Sequence, residues 1–503
     1  MTTDGPRTVS ALATATGDLT KEIRGDAAIE VTGVAYDSRA VRPGDLFFCV
    51  PGATTDGHEF AAAAANAGAV ALCVERPTGA GIIEIEVSDA RRAMARISAA
   101  FYGNPSADML VLGVTGTNGK TTTVYLLDSI LAAAGHTTGL IGTIETRVAG
   151  EVRPGVRTTP ESRDLQALFA EMRDRSVGAV AMEVTSHALA MHRVEGVRYA
   201  AAAFTNLSQD HLDFHADMDD YFAAKRGLFV AGRTERAAIN SDDPWGRRLL
   251  EQIEDVPAVA YGVAEDADVR ASDVGLRADG SEFVLHASGA EVKIVTTLIG
   301  AFNVYNCLAA AATAVEAGIE LDAVERGIAT LEAVPGRFEA ISMGQPFAVI
   351  VDYAHTPDSL DNVLRAARRL SVAGEGEGRV LCAFGCGGDR DRLKRPLMGS
   401  VVARLADVAI VTSDNPRSED PMAIIDEILE GVIAESPTGP DAVLPDRREA
   451  IRHAIAAALP GDVVVIAGKG HESGQEFADR MIPFDDRDEA RAALRDAGWG
   501  GAA

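Results

Sequence analysis

The sequence predicts an α/β protein of three domains: a small N-terminal α/β domain, a central domain on a mostly parallel sheet, and a doubly wound C-terminal domain. Three observations carry this. The chain has 503 residues, enough for about three domains with separate cores. From Met109 the pattern becomes apolar strand, glycine loop and helix, in "MLVLGVTGTNGKTTT". Beyond "VPGRFEA" four apolar runs alternate with helical segments.

Residues 1–107 hold short strands at "AVALCV" and "IIEIEV" and an alanine-rich helix near Ala61–Ala67, closing on the break "GNPSAD". Residues 108–337 open on the strand "MLVLGVT". The helix "KTTTVYLLDSILAAAG" follows and stops at Gly135, and further buried strands are expected at "GAVAMEV" and "AAAFTNL". In residues 338–503 strands are expected at "FAVIVDYA", "RVLCAFG", "DVAIVTS" and "DVVVIAG". Only "AGEGEG" and the tail "WGGAA" read as flexible.

Composition narrows the function. Acidic residues outnumber basic ones by 74 to 47, for a formal charge of −27, which disfavours nucleic acid as a partner. Five cysteines without C-x-x-C spacing suggest neither a disulfide framework nor a zinc site. The start lacks a signal-like pattern and no run suits a membrane segment, so a cytoplasmic protein is expected. Oligomeric state is not legible.

"VLGVTGTNGKTTT" fails the P-loop pattern by one position, because Val114 stands where the first glycine belongs. Its context still suits a phosphate cradle. The loop follows a buried strand and opens a helix, so backbone N–H groups and the helix N-terminus converge on one point. Lys120 would reach the terminal phosphates of ATP, with Thr121 or Thr122 beside a magnesium ion. An ordinary strand-to-helix turn with a solvated lysine is the competing reading. Glu183 and the loop residues Asp210, His211, Asp213 and His215 stand at strand ends, where metal ligands gather in such sheets.

The motifs "GVTGTNGKTT", "MEVTSHAL", "FTNLSQDHLDFH", "YFAAK", "FNVYN", "PGRFE", "VDYAHTPDSL", "GCGGDRDRLKRP", "SDNPR" and "GKGHE" occur in an order that resembles the Mur ligases. These are the ATP-dependent amino-acid-adding enzymes of peptidoglycan precursor synthesis. The resemblance implies a UDP-binding N-terminal domain, a P-loop-type ATPase domain and a Rossmann-like C-terminal domain that brings in the amino acid.

It also implies roles. Gly116, Thr117, Asn118, Gly119, Lys120, Thr121 and Thr122 would hold ATP, with Asn303 toward adenine and Arg337 and Asp352 near ribose and phosphate. Ser38, Ala53, Thr54 and Thr55 would meet the UDP moiety of a UDP-N-acetylmuramoyl dipeptide. Thr158, Thr159, Thr185, Met191 and Arg193 would meet its muramyl-peptide part. Thr185 and Met191 depart from the family's commoner serine and glutamine. Thr121, Glu183 and His211 would hold Mg2+, His211 and Lys120 would serve catalysis, and Lys225 would be carbamylated.

Arg390, Asp414, Asn415, Pro416, Arg417, Gly468 and Glu472 would take the incoming amino acid. A guanidinium repels the side-chain ammonium of lysine but grips a second carboxylate with paired N–H bonds, which favours meso-diaminopimelate. Asp414 and Glu472 would then be available for its ammonium groups.

The expected chemistry is phosphoryl transfer to a substrate carboxylate, followed by attack of an amine on the acyl phosphate. Two rivals stand beside it. A nucleotide-dependent switch would need the loop but not "SDNPR" or "GKGHE", and folylpolyglutamate synthetase would lack the N-terminal "DSR" and "PGDLF" block.

Overall fold

The computed structural model describes residues 7–52, 55–372 and 378–500. Ala53 and Thr54 lie outside the described residues, as do most of "AGEGEG" and the end of the "WGGAA" tail. Among the described residues no helix is long and apolar enough to cross a membrane.

The first sheet contains β1 (Thr20–Arg24), β2 (Gly33–Ala35), β3 (Asp45–Phe48), β4 (Ala71–Val74) and β5 (Ile83–Val87), in the order β1-β5-β4-β3-β2. Its Leu46, Phe48, Cys73 and Ile85 are fully buried beneath the helix Ala90–Phe101. Asp89 caps that helix, its carboxylate accepting from Arg92 N at 2.9 Å.

The second sheet has eleven strands. They are β6 (Leu110–Thr115), β7 (Thr138–Ile141), β8 (Glu145–Val148), β9 (Glu151–Pro154), β10 (Ala179–Glu183), β11 (Ala201–Phe204), β12 (Ala237–Asn240), β13 (Ala258–Gly262), β14 (Val269–Arg277), β15 (Gly280–Ala287) and β16 (Ala290–Thr296). The order is β16-β15-β14-β13-β12-β11-β6-β10-β7-β8-β9, parallel from β14 through β7. Antiparallel wings close both edges, β8–β9 on one side and β15–β16 on the other. The sequence reading did not foresee the wings.

The helix Lys120–Ala133 is buried along most of its length because it lies between this sheet and the helices Ala301–Glu316 and Leu321–Thr330. An apolar-all-round helix is stable only in such a sandwich. From β6 the chain runs to β7 and β10 on one side, then returns to β11 on the other. The loops after β6 and β11 therefore flank the switch point of the sheet, where open α/β folds bind ligands.

The third sheet contains β17 (Glu339–Ala340), β18 (Ala348–Asp352), β19 (Val380–Phe384), β20 (Val408–Val411), β21 (Ala442–Val443) and β22 (Val463–Ala467), ordered β17-β18-β22-β19-β20-β21. β18 through β21 are parallel, with apolar cores on both faces. A separate hairpin follows, β23 (Gly474–Glu476) with β24 (Met481–Pro483).

Candidate active site between two sheets

The loop after β6 is held by the loop after β11. Thr117 N donates to Asn206 O at 2.9 Å, Asn118 N to Asn206 Oδ1 at 2.9 Å, and Thr205 Oγ1 to Asn118 O at 2.7 Å. Two glycines permit this approach. A Cβ on Gly116 (φ +146°) would stand 1.9 Å from Thr205 Oγ1, and one on Gly119 (φ +87°) 2.3 Å from Asn306 Oδ1. The missing first glycine of the P-loop pattern therefore costs nothing here. Neither Thr205 nor Asn206 was singled out from the sequence, because their role exists only through pairing with a loop 90 residues away.

Two lysines converge on this loop. Lys120 Nζ donates to Gly116 O at 2.9 Å and Thr117 O at 2.8 Å, while Lys225 Nζ donates to the same Gly116 O at 2.8 Å. Lys225 also lies 4.5 Å from the centroid of the Tyr221 ring. Burial lowers the pKa of both amines, and the ammonium of Lys120 pushes that of Lys225 down further.

Glu183 ends β10 fully buried, its carboxylate accepting from Thr143 N at 2.8 Å and Thr143 Oγ1 at 3.0 Å. It has no ion-pair partner among the described residues. Burial drives the pKa of His211 down to about 3, which leaves a neutral imidazole with a free lone pair. The Glu183 carboxylate fits a hard divalent cation, and the imidazole of His211 suits one less well. Among the described residues no group of three His, Cys, Asp or Glu side chains is arranged to hold a metal, so Thr121 and phosphate oxygens would complete the shell. His215, one of the loop residues considered as a ligand, is instead taken up by Ser186 Oγ at 3.0 Å and Asp220 Oδ2 at 3.2 Å.

The third unit docks against this centre. At the junction of the two units Arg337 Nη2 donates to Thr121 Oγ1 at 2.9 Å, and its guanidinium carbon lies 4.4 Å from the centroid of the Tyr353 ring of the third unit. Asn118 Nδ2 donates to Asp358 Oδ2 at 2.8 Å. Asp210 pairs with Lys394 at 3.3 Å and faces His355 at 3.7 Å. Although burial pushes the Asp210 carboxyl up, the charge of Lys394 holds it well below the usual carboxylate range. Asp352 is buried and accepts from Phe338 N at 2.6 Å and Ala354 N at 2.7 Å, which fixes the backbone beside Arg337.

A cavity of about 880 Å³ opens between the two sheets. Of the residues assigned to ATP, Thr117 through Thr122, Asn303, Arg337 and Asp352 line it, and Gly116 does not. Thr158, Thr159, Thr185, Arg193, Glu183 and His211 line it too. From the third unit come Arg390, Asp414, Asn415, Arg417, Gly468 and Glu472. Ser38, Thr55, Met191, Pro416 and Lys225 do not reach it. Met191 instead offers its sulfur to Arg193 Nη2 at 3.4 Å, and Ser38 stands in a turn capped by Asp37 on the first sheet.

One expectation needs correction. Glu472 is free through one oxygen only, because Lys469 Nζ donates to its Oε2 at 2.9 Å and Asn415 Nδ2 at 2.8 Å, while no described residue bonds Oε1. Lys469 is fully buried and also bonds Asn415 Oδ1 at 2.8 Å. It stood in view in "GKGHE", but only the fold shows that its amine turns toward "SDNPR". Asp414 lines the cavity too, buried and with no ion pair among the described residues. Phe302, Tyr305 and Asp242, with Tyr305 donating to Asp242 Oδ2 at 2.9 Å, also line the cavity and were not found from the sequence.

Comparison with known proteins gives three family matches: the Mur ligase family catalytic domain at residues 30–102, the Mur ligase middle domain at 114–314, and the Mur ligase glutamate ligase domain at 336–470. The UDP-N-acetylmuramoyl-L-alanyl-D-glutamate–2,6-diaminopimelate ligase of Syntrophomonas wolfei is 47% identical over 93% of this chain and 95% of its own. The Geobacillus kaustophilus enzyme of the same name is 47% identical over 93% and 96%. A solved structure of a ligase of that name is 32% identical, with a TM-score of 0.67 over 95% of this chain and 98% of that one.

Proposed function

The chain belongs to the Mur ligase family, and on that premise we propose that it joins meso-diaminopimelate to UDP-N-acetylmuramoyl-L-alanyl-D-glutamate with ATP. The observation that carries the reading is the single cavity. It brings a phosphate-binding loop, a threonine- and arginine-lined wall and the loops "SDNPR" and "GKGHE" to one volume. The domain limits that serve this reading are 1–107, 108–337 and 338–503.

A carboxylate is a poor electrophile in water. Transfer of the γ-phosphoryl of ATP to a carboxylate of the D-glutamyl residue forms a C–O–P bond as the O–P bond to ADP breaks. The amine of diaminopimelate then attacks the acyl carbon and expels phosphate. The amine's lost proton leaves with solvent or a nearby base, and the amide remains.

The chain's part is alignment and charge neutralisation. Lys120, once ATP displaces it from the loop carbonyls, sits where charge develops on the transferred group. Arg337, at the junction with the third unit, reaches the same end of the loop, so docking of that unit completes the site and sheds water. Thr158, Thr159, Thr185 and Arg193 hold the muramyl-peptide part. Mg2+, held by Glu183, His211 and Thr121, would supply further charge neutralisation at the phosphates.

Lys225 is carbamylated in this reading. Its amine is buried and depressed toward the neutral form, which is the form that adds carbon dioxide. The resulting anion would help hold a second magnesium beside the phosphates. The reaction belongs to the cytoplasm, where ATP and the UDP-linked precursor are found, and five buried free cysteines suit a reducing compartment.

Phosphate release from ATP tests the reading, measured with UDP-muramyl dipeptide and each candidate amino acid, then with folate and glutamate. Release that needs both the UDP dipeptide and diaminopimelate supports it. Release with folate and glutamate, or release independent of any acceptor, would replace it with one of the two rivals.

A further inference from the structure

The loop carrying Asp414, Asn415 and Arg417 does not stand alone. Consecutive residues of β23 hold it: Gln475 Nε2 donates to Asp414 O at 2.7 Å, Glu476 N to Asn415 Oδ1 at 3.0 Å, and Arg417 N to Glu476 O at 3.0 Å. Arg417 pairs as an isolated parallel bridge with Phe477. The hairpin therefore acts as an added strand along the loop.

Arg417 needs that support. Its backbone is left-handed, with φ +54°, a conformation non-glycine residues rarely adopt unless the surroundings impose it. Its guanidinium is held on two sides, Nε donating to Glu476 Oε2 at 2.9 Å and Nη1 to Gly388 O at 2.6 Å. No described residue bonds Nη2, and Arg417 lines the cavity whereas Glu476 does not. An arginine side chain is otherwise free to swing about four torsions. Gripped at Nε and Nη1, it keeps Nη2 available in a fixed place.

The geometry points to Glu476 as a positioning residue for amino-acid specificity. It holds Arg417 from behind so that Nη2 of the guanidinium meets the distal carboxylate of the incoming diamino acid. It touches no substrate itself. Its charge also neutralises part of Arg417, so the site discriminates by placed N–H donors more than by net positive charge. This rests on the reading that Arg417 receives that carboxylate.

The test measures KM for diaminopimelate, ATP and UDP-muramyl dipeptide, and the diaminopimelate-to-lysine ratio of kcat/KM, in wild type, Glu476→Ala, Glu476→Gln and Arg417→Ala. Glu476→Ala should raise KM for diaminopimelate roughly tenfold, the effect of one orienting charge-assisted hydrogen bond, with the loss in KM rather than kcat. Glu476→Gln keeps an oxygen that accepts from Nε and should stay within about threefold of wild type. The KM values for ATP and the UDP dipeptide should not move. Wild-type KM and selectivity in Glu476→Ala would overturn the inference, as would an equal rise of all three KM values in both variants, which marks a structural role only. If Arg417→Ala leaves the selectivity intact, the assignment of Arg417 fails. If Arg417→Ala loses it but Glu476→Ala does not, only the role of Glu476 fails.

Discussion

Lys394 of the third unit places its ammonium 3.3 Å from the Asp210 carboxylate of the central unit, and both side chains are almost wholly buried. The contact ties the loop after β11, which holds the phosphate loop, to the helix Lys394–Leu405. Lys394→Met would strand the Asp210 charge and loosen the docking of the two units. A small misplacement of aligned reactants is enough to lower kcat by about 10²-fold. Single-turnover phosphate release measures it, alongside a thermal melt. Unchanged kcat would show that the pair is incidental to catalysis.

Lys120→Ala should nearly abolish ligation with the fold intact, because loss of one charge placed on a developing anion costs about 2.7–4 kcal/mol of transition-state stabilisation. Steady-state kcat with saturating substrates is the measurement. Turnover within about tenfold of wild type would remove the phosphate loop from the mechanism.

Lys225→Ala should be inactive, and short-chain carboxylates should partly restore activity by supplying the missing anion. The intact-protein mass should also show the carbon dioxide adduct, lost on acidification. Full activity in Lys225→Ala without added carboxylate would end the carbamylation reading.

Arg447 and Asp486 form a fully buried ion pair, with Nε–Oδ1 at 2.7 Å and Nη2–Oδ2 at 2.6 Å. Arg447 also donates to Ser413 O at 3.3 Å and Ala467 O at 2.9 Å, the backbone just before the two amino-acid loops. Asp486→Asn leaves a buried guanidinium without its counter-charge, and about 3–5 kcal/mol of stability should be lost. Denaturant unfolding followed by circular dichroism reads this. A loss below about 1 kcal/mol would mean that water or another acid replaces the partner.

Much of this was legible because it is local. Strand, loop and helix around Lys120 follow from apolar runs and glycines, and strand ends named Glu183, His211 and Asp414 as site candidates. What escaped depends on distant pairing. The edge strands β8 and β9 are largely exposed or half-exposed, so they lack the alternation of a half-buried strand. Glu472 looked fully available because its partner Lys469, three residues away, could as easily have faced solvent. Glu476 carries no motif of its own. Its meaning lies wholly in the strand that it forms beside Arg417.

The most direct test of the whole account is the ratio of kcat/KM for meso-diaminopimelate over L-lysine, with UDP-muramyl dipeptide and ATP saturating, in wild type and Arg417→Ala. The account predicts a wild-type ratio of about 10⁴–10⁵, as for a site whose buried polar groups are left unpaired by the wrong substrate, and loss of most of it in the variant. Comparable values for the two amino acids in the wild-type protein would contradict it, leaving a Mur ligase whose incoming residue is something else.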